Sequence, residues 1–426
     1  MADAEARDVA ARGEYPVRVR VVDDDLARGR WTVFFRLLLA LPHLIVLSVF
    51  ALIALLLLPV LWIATLIKAA PPHGLAELYG RLLVYGAQVQ AYLYLASARF
   101  PPFLGAGQDY AIAVDLPLPE PQNRWGIAFR GILAIPAMLL AGALGSGVGA
   151  ATSSFASYNV GVVPAVGLLA WFAALARARM PRGFRDLLVM SIAYGTRAYA
   201  YLFFLTDRYP TSDPASLVPA AQPSDHPVRL DVADGDLRRS RLTVFFRLPL
   251  AFPHLVWLTL WSVLALLAAI AAWFSALVLG RVPRALHRFL AAFVRYSTHL
   301  SAFLYLAGNP FPGFTGAPGR YPIDLETPVP ERHGRWTVGF RWLLVFPALI
   351  IGGALGTVQF VAGVLGWFAS LFTARMPVGL RNLLAYCLRY QGQTYSYALL
   401  ITPRYPYSGP GPCDRPEATA SAQVAA

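Results

Sequence analysis

An arginine, five mostly apolar residues and a proline recur four times in this chain, always inside a hydrophobic run. The copies are Arg36–Pro42 (RLLLALP), Arg130–Pro136 (RGILAIP), Arg247–Pro253 (RLPLAFP) and Arg341–Pro347 (RWLLVFP). Copies one and two are 94 residues apart, as are three and four, and the second pair lies 211 residues after the first. A fixed long period means that one structural unit is used repeatedly. Two units therefore make a module, and the module is duplicated.

Each unit carries an apolar run: 31–67, 125–176, 242–280 and 336–374. Every run exceeds the ~18 residues that suggest a membrane span. The chain is 57% hydrophobic and 14% charged, where a soluble domain has about 25% charged residues. An integral membrane protein follows. The first thirty residues are charged and lack an apolar core segment, so no cleavable signal is expected and the N-terminus should stay in the cytoplasm.

The net charge of +13 is almost all arginine, since Lys68 is the only lysine. In a membrane protein such charge sets orientation and meets anionic headgroups. No nucleic-acid motif accompanies it, and no nucleic-acid partner is expected. Cys387 and Cys413 form neither a disulfide framework nor metal-ligand spacing.

The units open on alternating stretches that read as short strands: 15–22, 110–117, 226–233 and 321–328. One outward position holds Arg18, Ala113, Arg229 and Asp324, and the next holds Arg20, Asp115, Asp231 and Glu326. Opposite charges at matching positions favour pairing, so a small cytoplasmic sheet gathering all four strands is expected. Membrane entry follows at Arg30-Trp31, Arg124-Trp125, Arg241-Leu242 and Arg335-Trp336. Tryptophan and arginine together suit the headgroup boundary.

From Arg36 to Lys68, one helix would measure about 48 Å against a ~30 Å hydrocarbon core. A Gly/Ser-rich stretch (145–159) interrupts the second run. Both facts favour helical hairpins. The third stretches (75–98, 184–205, 285–307 and 380–401) contain Arg197, Arg295 and Arg389 and read as amphipathic interfacial helices. The expected fold is a predominantly α-helical polytopic membrane protein with about eight transmembrane segments. Its four units each comprise a short β-strand, a transmembrane helical hairpin and an interfacial helix.

The boundaries are an N-terminal tail (1–14), unit one (15–103), unit two (104–210), a Pro/Ser/Ala-rich linker (211–225), unit three (226–314), unit four (315–406) and a disordered tail (407–426). Hairpins would place every arginine cluster, and both termini, on the cytoplasmic side of the plasma membrane.

The phrase FFRLLLALPHLIVL, the tryptophan and basic-proline break that follow it, and AYLYLASARFPPF resemble the DUF4389 family of bacterial membrane proteins. FFRLPLAFPHLVWL, AWFSALVLGRVP and AFLYLAGNPFPGF look like a second copy, while units two and four are weaker matches. The resemblance implies a membrane fold and names no chemistry. Scarce lysine beside abundant alanine and arginine points to a high-GC bacterial genome.

Arg36, Arg130, Arg247 and Arg341 stand at equivalent helix starts, where the helix dipole disfavours a cation. Headgroup contact and topology control are the expected roles, with an anion site shared between units as the alternative. His43 and His254 follow the repeated proline and are replaced by Ala137 and Ala348 in the other units. They are expected to be interfacial hydrogen-bonding residues, with metal binding the alternative. Asp23-Asp24-Asp25 reads as a solvated turn. Glycines 142, 145, 147, 149, 352, 353 and 356 are expected to allow close helix packing.

No catalytic motif, cofactor motif or metal-ligand set is present. A non-enzymatic scaffold contacting anionic lipid or partner proteins through its arginine-rich face is expected. The alternative is a channel or transporter for a small solute or lipid. A membrane enzyme is a third reading, which needs His43 or His254 to meet a carboxylate.

Overall fold

A computed structural model describes residues 15–22, 25–105, 110–118, 120–146, 161–219, 221, 224–233 and 235–411. The chain divides into two units of structure, Met1–Pro219 and Ala220–Ala426, which are the two modules. Module one contains β1 (Arg18–Val21), α1 (Arg30–Phe34), α2 (Arg36–Lys68), α3 (His73–Leu93), β2 (Ile112–Asp115), α4 (Arg124–Ala128), α5 (Arg130–Leu144), α6 (Val162–Arg177), α7 (Arg182–Leu202) and α8 (Pro214–Leu217). Module two contains β3 (Arg229–Val232), α9 (Arg241–Phe245), α10 (Arg247–Leu279), α11 (Arg284–Leu304), β4 (Ile323–Glu326), α12 (Arg335–Gly339), α13 (Arg341–Thr373) and α14 (Val378–Ala398).

The expected hairpins are absent from units one, three and four. Helices α2, α10 and α13 are each continuous over 33 residues, about 50 Å of helix. They are the three helices long and apolar enough to cross a membrane among the described residues, which replaces the expected eight spans. Their repeated prolines stand inside them and do not end them. Units one and three have no Gly/Ser-rich stretch at their middles, and the short Gly356-Thr357-Val358-Gln359 stretch of unit four, a weaker expected break, stays helical with Gln359 buried. In unit two the run is divided into α5 and α6, and most of its Gly/Ser-rich interruption lies outside the described residues.

A break at one aromatic residue precedes each long segment. Phe35, Phe129, Phe246 and Phe340 leave helical geometry between the five-residue entry helix and the arginine that opens the next. Along α2, the buried residues Arg36, Ala40, His43, Leu47, Ala54 and Leu61 form a narrow seam at heptad-like spacing. The remaining faces are apolar and exposed, including Leu38, Leu52, Leu55 and Leu56.

The third stretches are not surface-lying helices. α3, α7, α11 and α14 are 21 residues each and run antiparallel to the long helices inside the module. Contacts of Arg36 with Tyr92, His43 with Tyr85 and Ala54 with Tyr79 trace that pairing in unit one. Burial of most of α7, including Arg197, removes the solvent face that an interfacial helix needs.

The single expected sheet is instead two ribbons, one per module. β1 pairs antiparallel with β2, and β3 with β4. Arg18 faces Asp115 and Arg229 faces Glu326, as charge complementarity predicts. Arg20 also grips Asp115 through two hydrogen bonds of 2.7 and 3.0 Å. Asp231 faces Asp324, and His299 and Arg295 answer the Asp324 charge at 2.7 and 3.5 Å.

The two units of a module clasp each other reciprocally. Trp62 donates to Ile127 O at 3.1 Å while Trp171 donates to Val33 O at 3.0 Å. Trp273 and Trp367 repeat this with Val338 O and Val244 O, both at 2.9 Å. The start of each long segment therefore meets the end of the other, as a pseudo-two-fold axis requires. Both ends of each segment then lie at one level along that axis. A continuous 33-residue helix sets its entry arginine and the basic residues beyond its far end about 50 Å apart, where the hairpins were expected to bring them to one side.

Three smaller expectations change. Residues 211–219 of the linker are built into module one: Leu217 is buried, and Arg197 donates to Ser216 O at 2.8 Å. Residues 407–411 of the tail pack under α14, where Arg389 donates to the Gly409 and Gly411 carbonyls. Of the expected packing glycines Gly145 is tight, its Cβ position 2.9 Å from Pro164, while the closest helix approaches include Gly167 and Gly363, whose Cβ positions lie 2.4 Å from the rings of Tyr94 and Tyr305. Gly142 and Gly353 have nothing within 4 Å, and Gly147 and Gly149 lie outside the described residues.

Candidate functional site

The four repeated arginines are buried, with 0–3% of their surface exposed. Each reaches the C-terminal end of the 21-residue helix in its own unit. Arg36 donates to the carbonyls of Tyr92 and Ser97, with its guanidinium carbon 4.2 Å from the Tyr92 ring centre. Arg130 donates to Thr206 O (3.2 Å), Gln122 Oε1 (2.7 Å) and Asp207 Oδ1 (2.9 Å), and covers Tyr201 at 4.1 Å. Arg247 donates to Gly308 O (2.7 Å) over Phe303 at 4.2 Å. Arg341 donates to His333 Nδ1 (3.1 Å) over Tyr397 at 4.0 Å.

This geometry explains a cation at the wrong end of its own helix. The same guanidinium sits at the negative, carbonyl-rich end of the antiparallel partner. Stacking on an aromatic face adds a further ~0.5–2 kcal/mol per site. All four guanidinium groups are enclosed by their own module, where they meet carbonyls and aromatic rings instead of the outer surface.

The turn beyond each 21-residue helix is also repeated. Leu95, Phe204, Leu306 and Leu400 have positive φ, between 59° and 68°. Such turns expose carbonyls, and a second polar residue meets them. Arg28 donates to Leu95 O and Ala96 O, both at 3.2 Å; Arg239 donates to Leu306 O and Ala307 O, both at 3.4 Å. Gln122 donates to Phe204 O at 2.6 Å, and the His333 ring interacts with the backbone of Leu400. Sequence reasoning passed over these four residues, although each stands two positions before an entry arginine.

His43 and His254 occupy equivalent buried sites. Each Nδ1 lies 2.8 Å from a tyrosine hydroxyl, Tyr85 or Tyr296. Phe103 and Phe314 stack on the imidazoles at 4.3 and 4.1 Å. Each Nε2 is buried without a partner. The Tyr296 hydroxyl also donates to His254 O at 3.3 Å, and where alanine replaces histidine in unit four the Tyr390 hydroxyl keeps that backbone bond, to Ala348 O at 3.3 Å. No carboxylate joins either histidine, and no group of three or more metal-ligating side chains occurs among the described residues. Of the acidic turn, Asp25 caps the Ala27 amide at 2.8 Å, and Asp23 and Asp24 lie outside the described residues.

The exposed basic residues border the long helices. Arg30, Arg241 and Arg335 donate to Ala176 O, Phe372 O and Val278 O at 3.3, 3.0 and 3.2 Å, closing the far end of the other unit's helix. Beside them Trp31, Trp125 and Trp336 are 75–81% exposed. Such aromatic residues mark membrane–water boundaries.

Two histidines of module two carry a pH dependence. Burial is the main cause that pushes His226 and His333 down to about 4, with nearby arginines adding to it: Arg389 and Arg404 for His226, Arg341 for His333. Both stay neutral in the fold while the unfolded chain takes up protons below ~6.5. Stability should therefore fall as pH drops from about 6.5 towards 4, by roughly 1.4 kcal/mol per pH unit per histidine. Thermal unfolding between pH 7 and pH 5 measures this. His333→Gln, which installs the residue found at Gln122, should flatten the slope; an unchanged slope would contradict the assignment.

Repeated modules with exposed apolar helices, arginine-capped helix ends and aromatic borders define a helical protein compatible with a membrane. The chain belongs to the DUF4389 family, a domain of unknown function, whose model matches residues 30–105, 241–315 and 335–408, more than half of the chain. These stretches are units one, three and four, so unit four joins the family as fully as the first and third. No curated protein and no solved structure matches the chain.

Proposed function

We propose that this protein is a non-enzymatic scaffold embedded in the bacterial plasma membrane, with both termini cytoplasmic, that organises anionic lipid or partner proteins around its arginine-rich helix ends. The observation that carries this reading is the exposed apolar surface of α2, α10 and α13, bordered by exposed tryptophan and arginine. Apolar faces of this extent belong against lipid. The arginines that would contact headgroups are the exposed ones of the entry and exit turns, such as Arg30, Arg179, Arg281 and Arg375.

Extraction of the full chain in native-lipid nanodiscs tests the reading. Each surface arginine is worth ~1 kcal/mol towards anionic lipid, so severalfold enrichment of such lipids over the bulk membrane is expected. A bulk-like lipid composition without any co-purifying protein would overturn it.

A further inference from the structure

Module two contains a cavity of about 490 Å³ between α10, α11, the start of α13 and the end of α14. Its volume lies in the ~300–1,000 Å³ range of small-molecule sites. The wall is mainly apolar, with Trp273, Phe293 and Leu399 among its residues. Its aliphatic hydroxyls, on Thr259, Ser262 and Ser297, donate to carbonyls of their own helices at 2.9, 2.7 and 2.8 Å.

Arg341 lines the same cavity. It is 2% exposed, and its Nε and Nη1 have no hydrogen-bond partner. Among the described residues no carboxylate pairs with it. A buried cation with spare donors beside an apolar space calls for an anion carried on an apolar body.

The other module carries different residues at the equivalent places. There the equivalent Arg130 is bound by Asp207, and module two has Pro403 at the matching position. Phe203 stands where module two has Leu399, and packs on Tyr79 at 4.7 Å. Module two thus lacks both the internal carboxylate and the filling ring.

We propose that this cavity binds an amphiphile, its carboxylate or phosphate head on Arg341 and its acyl chain along the middle of α10. This rests on the membrane reading above and adds a defined site to it. The test uses the full chain in phosphatidylcholine nanodiscs with three photoreactive probes of one tail: a fatty acid, a phosphatidylglycerol and a phosphatidylcholine. Labelled peptides are mapped by mass spectrometry. At least one anionic probe should label 258–273 or 395–400 about tenfold above phosphatidylcholine, the ratio corresponding to ~1.4 kcal/mol of charge-assisted bonding.

Which anionic probe labels separates a carboxylate head from a phosphate head. Pro403→Asp, which supplies the carboxylate, and Leu399→Phe, which fills the space, should each reduce labelling to the phosphatidylcholine level. Both changes install residues that module one already carries at those places. Equal labelling by all three probes, or labelling unchanged in both variants, would overturn the site. Loss of the chain from membranes on alkaline washing would instead sink the membrane reading itself.

Discussion

Arg130→Met is expected to destabilise module one by about 3–5 kcal/mol, the usual loss when one member of a buried charged network is removed. The side chain is fully buried and holds Thr206 O, Gln122 and Asp207 at once. Methionine restores volume but leaves the carbonyl end of α7 without its cation. Asp207→Asn should cost far less, about 1 kcal/mol, because Asp207 is half exposed and solvent takes over its charge. Hydrogen exchange of α7 in detergent micelles would measure both. Equal effects would mean that the ion pair, and not the helix-end cap, is what matters.

Gly363→Val should separate α13 from the end of α11 and destabilise module two by ~1–3 kcal/mol or more, as overpacked sites do. A Cβ at Gly363 would stand 2.4 Å from Tyr305 Cδ1, with the ring base also within 3.4 Å. The tyrosine is anchored at the helix end and cannot swing aside freely. Gly353→Ala in the same helix is the opposite case. Nothing lies within 4 Å of that position, so alanine should stabilise by roughly 0.5–1 kcal/mol through lower unfolded-state entropy. Thermal unfolding of the two variants should move in opposite directions; a shared sign would refute this account of α13.

Much of the candidate site was legible as pattern and illegible as role. Period and spacing located all four arginines, yet the ring under each lies 56 or more residues away, on another helix. Nothing local says that a cation at one helix start serves another helix's end. The histidines were placed near a polar boundary, while the fold seals them against tyrosine and phenylalanine. Arg28, Gln122, Arg239 and His333 escaped notice because four different residue types do one capping job. The left-handed turns were equally hidden, since leucine or phenylalanine occupies positions where glycine is the usual sign.

The hairpins failed for a physical reason. The Gly/Ser-rich interruption of unit two has no counterpart of that length in the other runs, whose isolated polar residues, such as Ser48, Thr259 and Gln359, stay within continuous helix. Charge along a strand chose its partner correctly within a module, because Arg18 and Asp115 attract wherever the strands meet. It could not say that the sheet stops at two strands.

By itself the sequence determined the repeat, the apolar character, the strand positions and the family, because these depend on local composition and period. Tertiary structure alone decided that each long run in units one, three and four is one helix and that the units clasp head to tail. It also decided that the repeated arginine serves its neighbour's carbonyls and that Arg247 and Arg341 each keep Nε and Nη1 unpaired. Those outcomes depend on which helix end lies beside which, a matter of packing that no local stretch of sequence contains.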